Sequence, residues 1–308
     1  MDILGLGMSL IDSVQGVDAF PAASGVTEVR ESVLMGGGPV PTALCAAARL
    51  GATTGIIDRV GDDWRGDLIA GDYRKFGVDH RYLIQEEGRT SSFGIILVRS
   101  CDGERHVIFQ QGDASPLIAD ELPVEAIKDS RILHLNGRHW PACLDAARGA
   151  RGAGGLISFD GGANRYDPKF RELFPLVDLL IVARDFAEKQ AGTKDRQRQL
   201  ESLASEGAQI VGVTDGVQGS WFRTAEGESF HQPAYEMEAI VDTTGCGDVF
   251  HGAFLFALTQ GQRCREAAQT ASAAAALSAT ALGGRGHLPS IEEVERLISQ
   301  GKVMTHAS

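Results

Sequence analysis

The sequence has little of several things, and each shortage narrows the class of protein. It contains only five cysteines in 308 residues, and none forms a CxxC pair, so neither a disulfide framework nor a zinc site is indicated. Aromatic residues amount to 6%, which favours closely packed helices and glycine-rich turns over a β-sandwich. No apolar run reaches the ~18–20 residues that span a bilayer, and the amino-terminal segment lacks the basic region of a signal peptide. We therefore expect a cytoplasmic protein that makes no membrane contact.

Positive charge is also scarce. Lys and Arg total 29 against 41 Asp and Glu, which gives a formal net charge of −12. Such a surface argues against binding of nucleic acid, although a local basic pocket can still take an anionic substrate. Hydrophobic residues make up 43% of the chain. That is enough for a sizeable core, and the length fits one large α/β domain.

Short apolar strands alternate with helices along the sequence, which predicts a mostly parallel sheet covered by helices on both faces. The predicted strands are 2–8, 56–60, 132–135, 156–160, 179–182, 210–214 and 220–223, and the predicted helices include 64–76, 168–173, 248–258 and 264–282. Residues 13–35 are mixed and turn-rich. Two β-rich runs at 92–99 and 105–110 flank Asp102-Gly103, a hairpin signal that interrupts the α/β rhythm.

The most specific segment is Asp242-Thr243-Thr244-Gly245-Cys246-Gly247-Asp248, which is followed by apolar residues at helical spacing. A loop of small residues at the start of a helix points backbone N–H groups outward, and these donors together with the helix dipole favour a phosphate. Asp248 at the mouth of this anion site can accept a proton from a substrate hydroxyl, while the amides stabilise charge on a transferred phosphoryl group. Taken alone, Asp248 also fits an ordinary carboxylate at a helix N-terminus.

Other motifs bear on rival functions. Gly36-Gly37-Gly38 precedes an alanine-rich helix and can bring backbone amides against a ligand, or can be a plain turn and helix start. Gly5-Leu6-Gly7 follows a strand, but Leu10 stands where the dinucleotide fingerprint needs glycine, so a dehydrogenase is a distant alternative. The sequence has no GxxxxGK[ST], HExxH or GxSxG motif, which disfavours a P-loop enzyme, a metalloprotease and an α/β-hydrolase.

These segments resemble the ribokinase-like (PfkB) carbohydrate kinases over nearly the whole chain. The resemblance is carried by Asp12, Gly36–Gly38, the hairpin, Val213–Gly219 and above all Asp242–Asp248. Within the family the chain looks most like ketohexokinase and sulfofructose kinase members, from its GGGP-x-x-TA, TTG-x-GDVFHGA and Gly-Gly-Arg segments. The resemblance implies a ribokinase-like three-layer α/β/α fold of one domain over 1–308. A small β lid at 13–35 and 90–112 would close over the sugar and exclude water.

The resemblance also implies roles for individual residues, with Asp248 as the general base on the acceptor hydroxyl. The other assignments are an anion hole from the amides of Gly245, Cys246 and Gly247, sugar contacts from Asp12, Gly37, Gly38, Asn136 and Arg138, nucleotide contacts from Thr214, Gly216, Gly219 and Ser272, and a monovalent cation at Asp242 and Thr244. The implied cofactors are ATP and Mg²⁺, with K⁺ as the candidate monovalent cation.

Three departures from the family pattern are visible. Pro39 and Pro41 stand near the sugar segment, where many members carry Asn. The N-x-x-E motif that positions magnesium is replaced by Ala183 and Phe186, so magnesium would be held mainly by nucleotide phosphates. Cys246 replaces a small residue, which has no consequence if only its amide is used.

Two further side chains have open assignments. Arg138 follows a strand and should lie at the ligand-facing end of the sheet. Sulfofructose kinases carry an Arg at a matching place that meets the sulfonate, and a guanidinium reads an oxyanion through two parallel hydrogen bonds. The alternative for Arg138 is an ordinary solvated side chain. His251, three residues after Asp248, fits packing or capping better than catalysis.

We therefore hypothesise an ATP-dependent kinase that phosphorylates a hydroxyl of a small sugar, a ketohexose or an anionic derivative such as sulfofructose. Kinases of ribose, nucleosides or ketodeoxy sugar acids are alternatives within the fold. A regulatory protein that binds sugar and nucleotide is the alternative of another class, motivated by the missing Asn and N-x-x-E. Apolar faces on such lids commonly pair, so we expect a homodimer formed through the lid.

Overall fold

The computed structural model describes residues 1–22 and 24–304. Thirteen strands lie within this part of the chain: β1 Ile3–Leu6, β2 Leu10–Val17, β3 Val29–Gly37, β4 Thr54–Gly61, β5 Asp79–Glu86, β6 Ser92–Arg99, β7 Arg105–Gln110, β8 Ile132–Leu135, β9 Leu156–Gly161, β10 Leu179–Ala183, β11 Ile210–Thr214, β12 Ser220–Thr224 and β13 Ser229–Gln232. Nine α-helices lie in the same residues: α1 Pro39–Leu50, α2 Trp64–Phe76, α3 Val124–Lys128, α4 Trp140–Gly152, α5 Arg184–Ala191, α6 Arg196–Ala204, α7 Cys246–Thr259, α8 Cys264–Ser278 and α9 Ile291–Gln300. None of these helices has the length and apolar character needed to cross a membrane.

The larger sheet has nine strands among the described residues, in the order β13-β12-β11-β10-β9-β8-β1-β4-β5. Neighbouring strands from β11 to β5 are parallel, and β12 and β13 at one edge run antiparallel. From β1 the sheet extends through β4 on one side, and from β8 it extends through β9 on the other. The strand order therefore reverses between β1 and β8, and ligands bind outside the carboxyl ends of the strands at such a place.

Alternate residues of the parallel strands face opposite sides of this sheet and enter two separate cores. Ile3 and Ile56 pack in one core with α1, α2, α7, α8 and α9. Leu4 and Ile57 pack in the other core with α3, α4, α5 and α6. The predicted fold class is confirmed, because a mostly parallel sheet carries helices on both faces and a second, smaller sheet accompanies it.

The smaller sheet has four strands in the described part of the chain, in the order β3-β2-β6-β7. Strand β2 pairs antiparallel with β3 and parallel with β6, and β7 is antiparallel to β6. The two strands predicted at 92–99 and 105–110 have those bounds. Residues 13–35, which we expected to be mixed and turn-rich and part of a β lid, contain parts of β2 and β3, and the described residues between these strands are irregular. The sequence of β3 carries no clear pattern, since most of its residues are exposed.

The two faces of the smaller sheet differ in what covers them. One face packs against the main body in a cluster of Val14, Ile96, Val98 and Leu282. Asp12 is two residues before Val14 in β2, so its side chain lies on that same face. The opposite face exposes three large apolar side chains, Leu34, Ile95 and Ile108.

Two predicted helices differ from the structure. Helix α8 ends at Ser278 instead of continuing to Leu282. After the helix end, the carbonyl of Ala279 accepts hydrogen bonds from the backbone N–H groups of Val241 at 2.8 Å and Asp242 at 3.2 Å, instead of from a further helical turn. The helix predicted at 168–173 is a short 3-10 helix, Pro168–Glu172, which a second 3-10 turn follows directly.

Candidate active site

The loop before α7 is fixed by a buried carboxylate. Asp242 is fully buried, and its Oδ1 accepts a hydrogen bond from the N–H of Thr244 while its Oδ2 accepts one from the N–H of Gly283, each at 2.8 Å. Gly245 then adopts a left-handed φ of 74°. A Cβ at this residue would lie only 2.7 Å from the Cα of Gly284. Both the backbone conformation and the close approach therefore require glycine here.

Helix α7 begins at Cys246, directly after this turn. The N–H groups of a first helical turn have no helical carbonyl partner, and with the helix dipole they favour an anion. Gly247 is exposed, so a ligand can reach the backbone there. The thiol of Cys246 contacts the hydroxyl of Ser278 at 3.5 Å, and burial raises its pKa to about 11. The thiol is therefore uncharged, and the Cys246 amide donates a long hydrogen bond of 3.4 Å to the carbonyl of Thr243.

Asp248 is half-buried in the first turn of α7. Loss of contact with water raises the pKa of Asp248 to about 6, and the negative charge of Asp160 adds to this effect, whereas Arg165, His251 and Arg285 oppose it. A carboxyl group with this pKa is mostly ionised at neutral pH and is more basic than an ordinary Asp. It is therefore suited to accept a proton from a hydroxyl.

Asp160 is a site residue that the sequence analysis missed. It lies buried in β9, with Oδ1 3.3 Å from Nε2 of His251 and Oδ2 3.3 Å from Nη2 of Arg165. Burial opposes its ionisation, but Arg165 and His251 hold the pKa of Asp160 well below its usual range. His251 thus pairs with a carboxylate, in place of the packing role that we favoured. The available signal was a carboxylate near the end of a strand, next to two glycines.

Asp12 belongs to the same electrostatic environment. Gly37 and Gly94 in the flanking strands leave room for its carboxylate, since a Cβ on either glycine would overlap an oxygen of Asp12. Burial raises the pKa of Asp12 to about 6, Arg285 opposes this rise, and the negative charge of Asp248 adds to it. Asp12 and Asp248 are therefore brought together by the fold although they are far apart in the chain.

Arg285 fixes the glycine-rich segment, a role that its sequence context did not reveal. Its side chain is buried, with Nε donating to Oγ1 of Thr42 at 3.1 Å and Nη2 donating to the carbonyl of Gly37 at 3.2 Å. Its Nη1 forms an ion pair with Asp72. Gly38 follows with a left-handed φ of 98° and precedes α1. The glycine-rich segment is thereby tied to the turn that also packs on the loop before α7.

Arg138 lies in a cavity outside the ends of β1 and β8, where the strand order reverses. The cavity has a volume of about 120 Å³, and its lining includes Met8, Ser9, Asp58, Ser92, Arg138 and His139. The half-buried guanidinium places Nη2 2.6 Å from Sδ of Met8, and Oδ1 of Asn136 accepts a long hydrogen bond of 3.4 Å from the Arg138 N–H. Burial lowers the pKa of Arg138, an effect that the charge of Asp58 opposes. No carboxylate of the described residues lies within 4.0 Å of this guanidinium.

The residues assigned to the nucleotide lie on neighbouring elements at one edge of the larger sheet. Thr214 ends β11, and Gly216 and Gly219 in the turn after it have left-handed φ values of 52° and 84°. Ser272 lies on α8, where its hydroxyl donates to the carbonyl of Pro233 at 3.1 Å. Because Pro233 directly follows β13, and β13 pairs with β12, the turn and α8 are held near each other.

The positions assigned to metals give different results. Thr244 Oγ1 is buried and has no hydrogen-bond partner among the described residues, beside the fully bonded Asp242. Phe186 is fully buried in an aromatic cluster, and Ala183 ends β10. Glu188, the nearby acid, lies 3.8 Å from Arg184. The chain therefore lacks magnesium-positioning side chains at the family's two positions. Across residues 1–22 and 24–304, no cluster of three or more His, Cys, Asp or Glu could hold a metal ion.

Gly5 and Gly7, on which the dehydrogenase alternative depends, serve helix packing. A Cβ at Gly5 would lie 2.5 Å from Cγ1 of Val40, and a Cβ at Gly7 would lie 2.5 Å from Cβ of the same residue. Helix α1 therefore packs tightly across the end of β1. This contact accounts for both glycines without a dinucleotide.

The fold and the site together define a class of protein. An anion site at a helix N-terminus, a candidate general base within it and a cavity at the reversal of strand order fit a kinase that acts on small hydroxyl compounds. The profile of the pfkB family carbohydrate kinases matches residues 2–291. The chain belongs to this family and is an ATP-dependent carbohydrate kinase, which confirms the prediction from the sequence motifs.

Individual relatives agree on the family and differ in their substrates. The ATP-dependent ribose-1-phosphate kinase of Halopiger xanaduensis is 30% identical over 97% of this chain and 98% of its own length. The probable fructokinase-3 of Arabidopsis thaliana is 29% identical over 99% of this chain and 93% of its own. The crystal structure of a putative ribokinase from Agrobacterium tumefaciens has a TM-score of 0.90 at 27% identity and covers 97% of both chains. The names of these relatives refer to one phosphorylated sugar, ribose 1-phosphate, and to two neutral sugars, fructose and ribose.

Proposed function

We propose that the protein transfers the γ-phosphoryl group of ATP to a hydroxyl of a small anionic sugar, a ketohexose derivative such as sulfofructose. The observation that supports this substrate is the half-buried guanidinium of Arg138, which lines a cavity without a carboxylate within 4.0 Å among the described residues. A half-buried guanidinium without an ion-pair partner within 4.0 Å among the described residues can bind a phosphate, carboxylate or sulfonate through its free donors, while Asp58 in the same cavity favours its charged form. A neutral ketohexose is the alternative substrate.

In the proposed mechanism, Asp248 removes the proton of the acceptor hydroxyl while the hydroxyl oxygen attacks the γ-phosphorus and ADP leaves. Because its raised pKa of about 6 is still below 7, Asp248 is mostly ionised at neutral pH and is more basic than an ordinary Asp. The amides of Gly245, Cys246 and Gly247 donate hydrogen bonds to the phosphoryl oxygens as their charge redistributes. The rate is then set by positioning and electrostatics, without a covalent intermediate.

The sugar would lie between Asp12 and the cavity of Arg138. The carboxylate of Asp12 and the amides of Gly37 and Gly38 bind sugar hydroxyls near Asp248. Arg138, with Asn136 behind it, binds the anionic group at the far end. The negative charge of Asp248 contributes to the raised pKa of Asp12, which supports this arrangement.

The nucleotide and the cations occupy the other side of the loop before α7. ATP contacts Thr214, Gly216 and Gly219 along its length, with Ser272 near the base. Since Ala183 and Phe186 offer no ligand, magnesium arrives with the nucleotide phosphates, whose charge it neutralises when bound. The unpartnered hydroxyl of Thr244 beside Asp242 supports a site for K⁺.

The smaller sheet acts in this proposal as a lid over the sugar, formed by residues 13–35 and 90–112. Arg105 of β7 donates a hydrogen bond of 2.9 Å to Oγ1 of Thr243, which joins this sheet to the loop before α7. Closure excludes water from the phosphoryl group. The exposed apolar face of Leu34, Ile95 and Ile108 would pair with a second copy of the chain and form a homodimer.

The test is an ADP-release assay with sulfofructose, fructose, tagatose and ribose, run on wild type, Asp248→Asn and Arg138→Ala. Asp248→Asn should lower kcat by about 10²–10⁴-fold on every accepted sugar. Arg138→Ala should lower kcat/KM for sulfofructose and leave neutral sugars nearly unchanged. An equal loss of kcat/KM on neutral and anionic sugars would show that Arg138 does not recognise the charge of the substrate. Calorimetric binding of sugar and ATP without ADP release would instead indicate a regulatory protein.

A further inference from the structure

We propose that His139 and Asp58 form a positioning pair that fixes Arg138 in its cavity and thereby sets the preference for anionic over neutral sugars. The inference rests on the proposed function, and it names residues that determine the substrate preference of the same site. Neither residue needs to touch the substrate for this role.

The imidazole ring of His139 is held from both sides. Its Nδ1 accepts a hydrogen bond of 3.0 Å from the backbone N–H of Leu117, so the ring proton is on Nε2. The Nε2–H group donates a hydrogen bond of 2.7 Å to Oδ1 of Asp58. Because both nitrogens are engaged, the ring has one tautomer and one orientation.

Asp58 is itself rigidly held. It is fully buried in β4, where Oδ1 also accepts from the N–H of Arg59 at 2.8 Å and Oδ2 accepts from the N–H of Ser9 at 2.5 Å. Ser9 follows β1, and His139 follows β8. The pair therefore joins the ends of three adjacent strands around the cavity.

The backbone on either side of Arg138 is unusual. Gly137 has φ of 79°, and His139 has φ of 50° and ψ of 54°, both in the left-handed region. A non-glycine residue adopts this conformation where surrounding contacts over-determine it, and such residues cluster at functional sites. The contacts that hold His139 are the hydrogen bonds of its ring. They maintain the turn that directs Arg138 into the cavity.

Asp58 also stabilises the positive charge of Arg138 without accepting a hydrogen bond from the Arg138 guanidinium. Its negative charge offsets part of the effect of burial on the Arg138 pKa, yet it lies beyond 4.0 Å from the guanidinium. Apart from the contact of Nη2 with the thioether of Met8, the guanidinium donors have no partner among residues 1–22 and 24–304 and are available to a ligand. Ser9, Thr90, Ser91 and Ser92 also line the cavity. The hydroxyl of Ser9 is hydrogen-bonded to Tyr73 and that of Ser91 to Asp63, so the guanidinium of Arg138 is a charged donor that the cavity offers to an oxyanion.

The experiment compares sulfofructose and fructose as substrates of wild type, His139→Gly, His139→Asn and Asp58→Asn. Gly and Asn tolerate a left-handed backbone, so both His139 variants remove the hydrogen bonds of the ring without making the backbone conformation at residue 139 unfavourable in itself. Asp62→Asn is the matched control, since Asp62 is an exposed carboxylate just beyond the same strand. The ratio of kcat/KM for the two sugars is measured on one preparation, so any inactive fraction of the enzyme cancels.

Both His139 variants and Asp58→Asn should lower the ratio of kcat/KM, sulfofructose over fructose, by about tenfold or more. The change should appear as a higher KM for sulfofructose, while Asp62→Asn keeps the wild-type ratio. In an Arg138→Ala background, His139→Gly should have no further effect on the ratio, because the pair acts through Arg138. An unchanged ratio, an equal loss on both sugars, or a persisting effect in the Arg138→Ala background would overturn the inference.

The failure of this inference is distinguishable from failure of the proposed function. If wild type prefers sulfofructose and Arg138→Ala abolishes that preference while the His139 variants keep it, only the positioning pair is refuted. If wild type shows no preference and Arg138→Ala changes nothing, the proposed substrate class and the pair are refuted together.

Discussion

The ionisation of Asp248 should limit the reaction at low pH. Burial and the charge of Asp160 raise the pKa of Asp248 to about 6. Between pH 7 and pH 5 the ionised fraction of such a group falls from about nine-tenths to about one-tenth. Only the ionised form can accept the hydroxyl proton, so kcat at saturating sugar and ATP should fall about tenfold in total between pH 7 and pH 5.

Asp160→Asn tests the cause of this raised pKa. The substitution removes the negative charge that disfavours ionisation of Asp248, and it leaves Arg165 and His251 without their carboxylate partner. Both changes favour ionised Asp248. The decrease of kcat on the acid side of its pH profile, the acid limb, should therefore move to lower pH. Asp167→Asn, which removes an exposed carboxylate from the following loop, is the matched control and should leave the limb in place.

The assay measures ADP in quenched samples between pH 5 and pH 8, which avoids coupling enzymes that titrate in the same range. Asp12 has a similar raised pKa of about 6, so Asp12→Asn separates the two carboxylates. That variant should raise KM for the sugar and keep the acid limb of kcat. A limb that stays fixed or moves upward in Asp160→Asn, or that disappears in Asp12→Asn, would refute the assignment to Asp248.

Three further predictions follow from the same geometry. Gly245→Ala should lower both Tm and ATP affinity, because the residue has φ of 74° and its Cβ would meet Gly284 at 2.7 Å; unchanged affinity in calorimetry would contradict an anion site there. Because the folded-state pKa of Asp248 is raised, wild type loses stability as pH rises from about 4 through 6. Asp248→Asn should therefore have the higher Tm at pH 8, with a gain that shrinks towards pH 4, and a gain that grows on acidification would count against this sign. Ile108→Lys should convert a wild-type dimer to a monomer in sedimentation, and a monomeric wild type would exclude the proposed interface.

Much of the secondary structure could be predicted because its signals are local. Helix α2 has the predicted bounds, since the carboxylate of Asp63 accepts from the N–H of Gly66 at 3.0 Å and Gly77 ends the helix with φ of 73°. The hairpin of β6 and β7 turns at Gly103, whose φ is 69°. By contrast, β3 was missed because its exposed residues show no alternation, and its pairing with β2 is a tertiary contact.

The candidate site also has one part that could be predicted from the sequence and another part that could not. The segment from Asp242 to Asp248 predicts an anion site from its own residues, because the loop and the helix that form it are contiguous. Asp160 could not be recognised as a neighbour of Asp248, and the pairing of His251 with Asp160 depends on α7 packing over the end of β9. A single carboxylate in a strand carries no information about which helix will cross it.

The sequence by itself determined the alternation of strands and helices, the glycine turn at residue 245 and the carboxylate that follows it, since each depends on residues within a few positions of one another. The tertiary structure alone decided that Arg285 bonds the carbonyl of Gly37, 248 residues away, and that His139 bonds Asp58, 81 residues away. The physical reason is that the order of strands in the sheet sets these distances. Strand order follows from how whole elements bury their apolar faces together, which no local pattern of residues specifies.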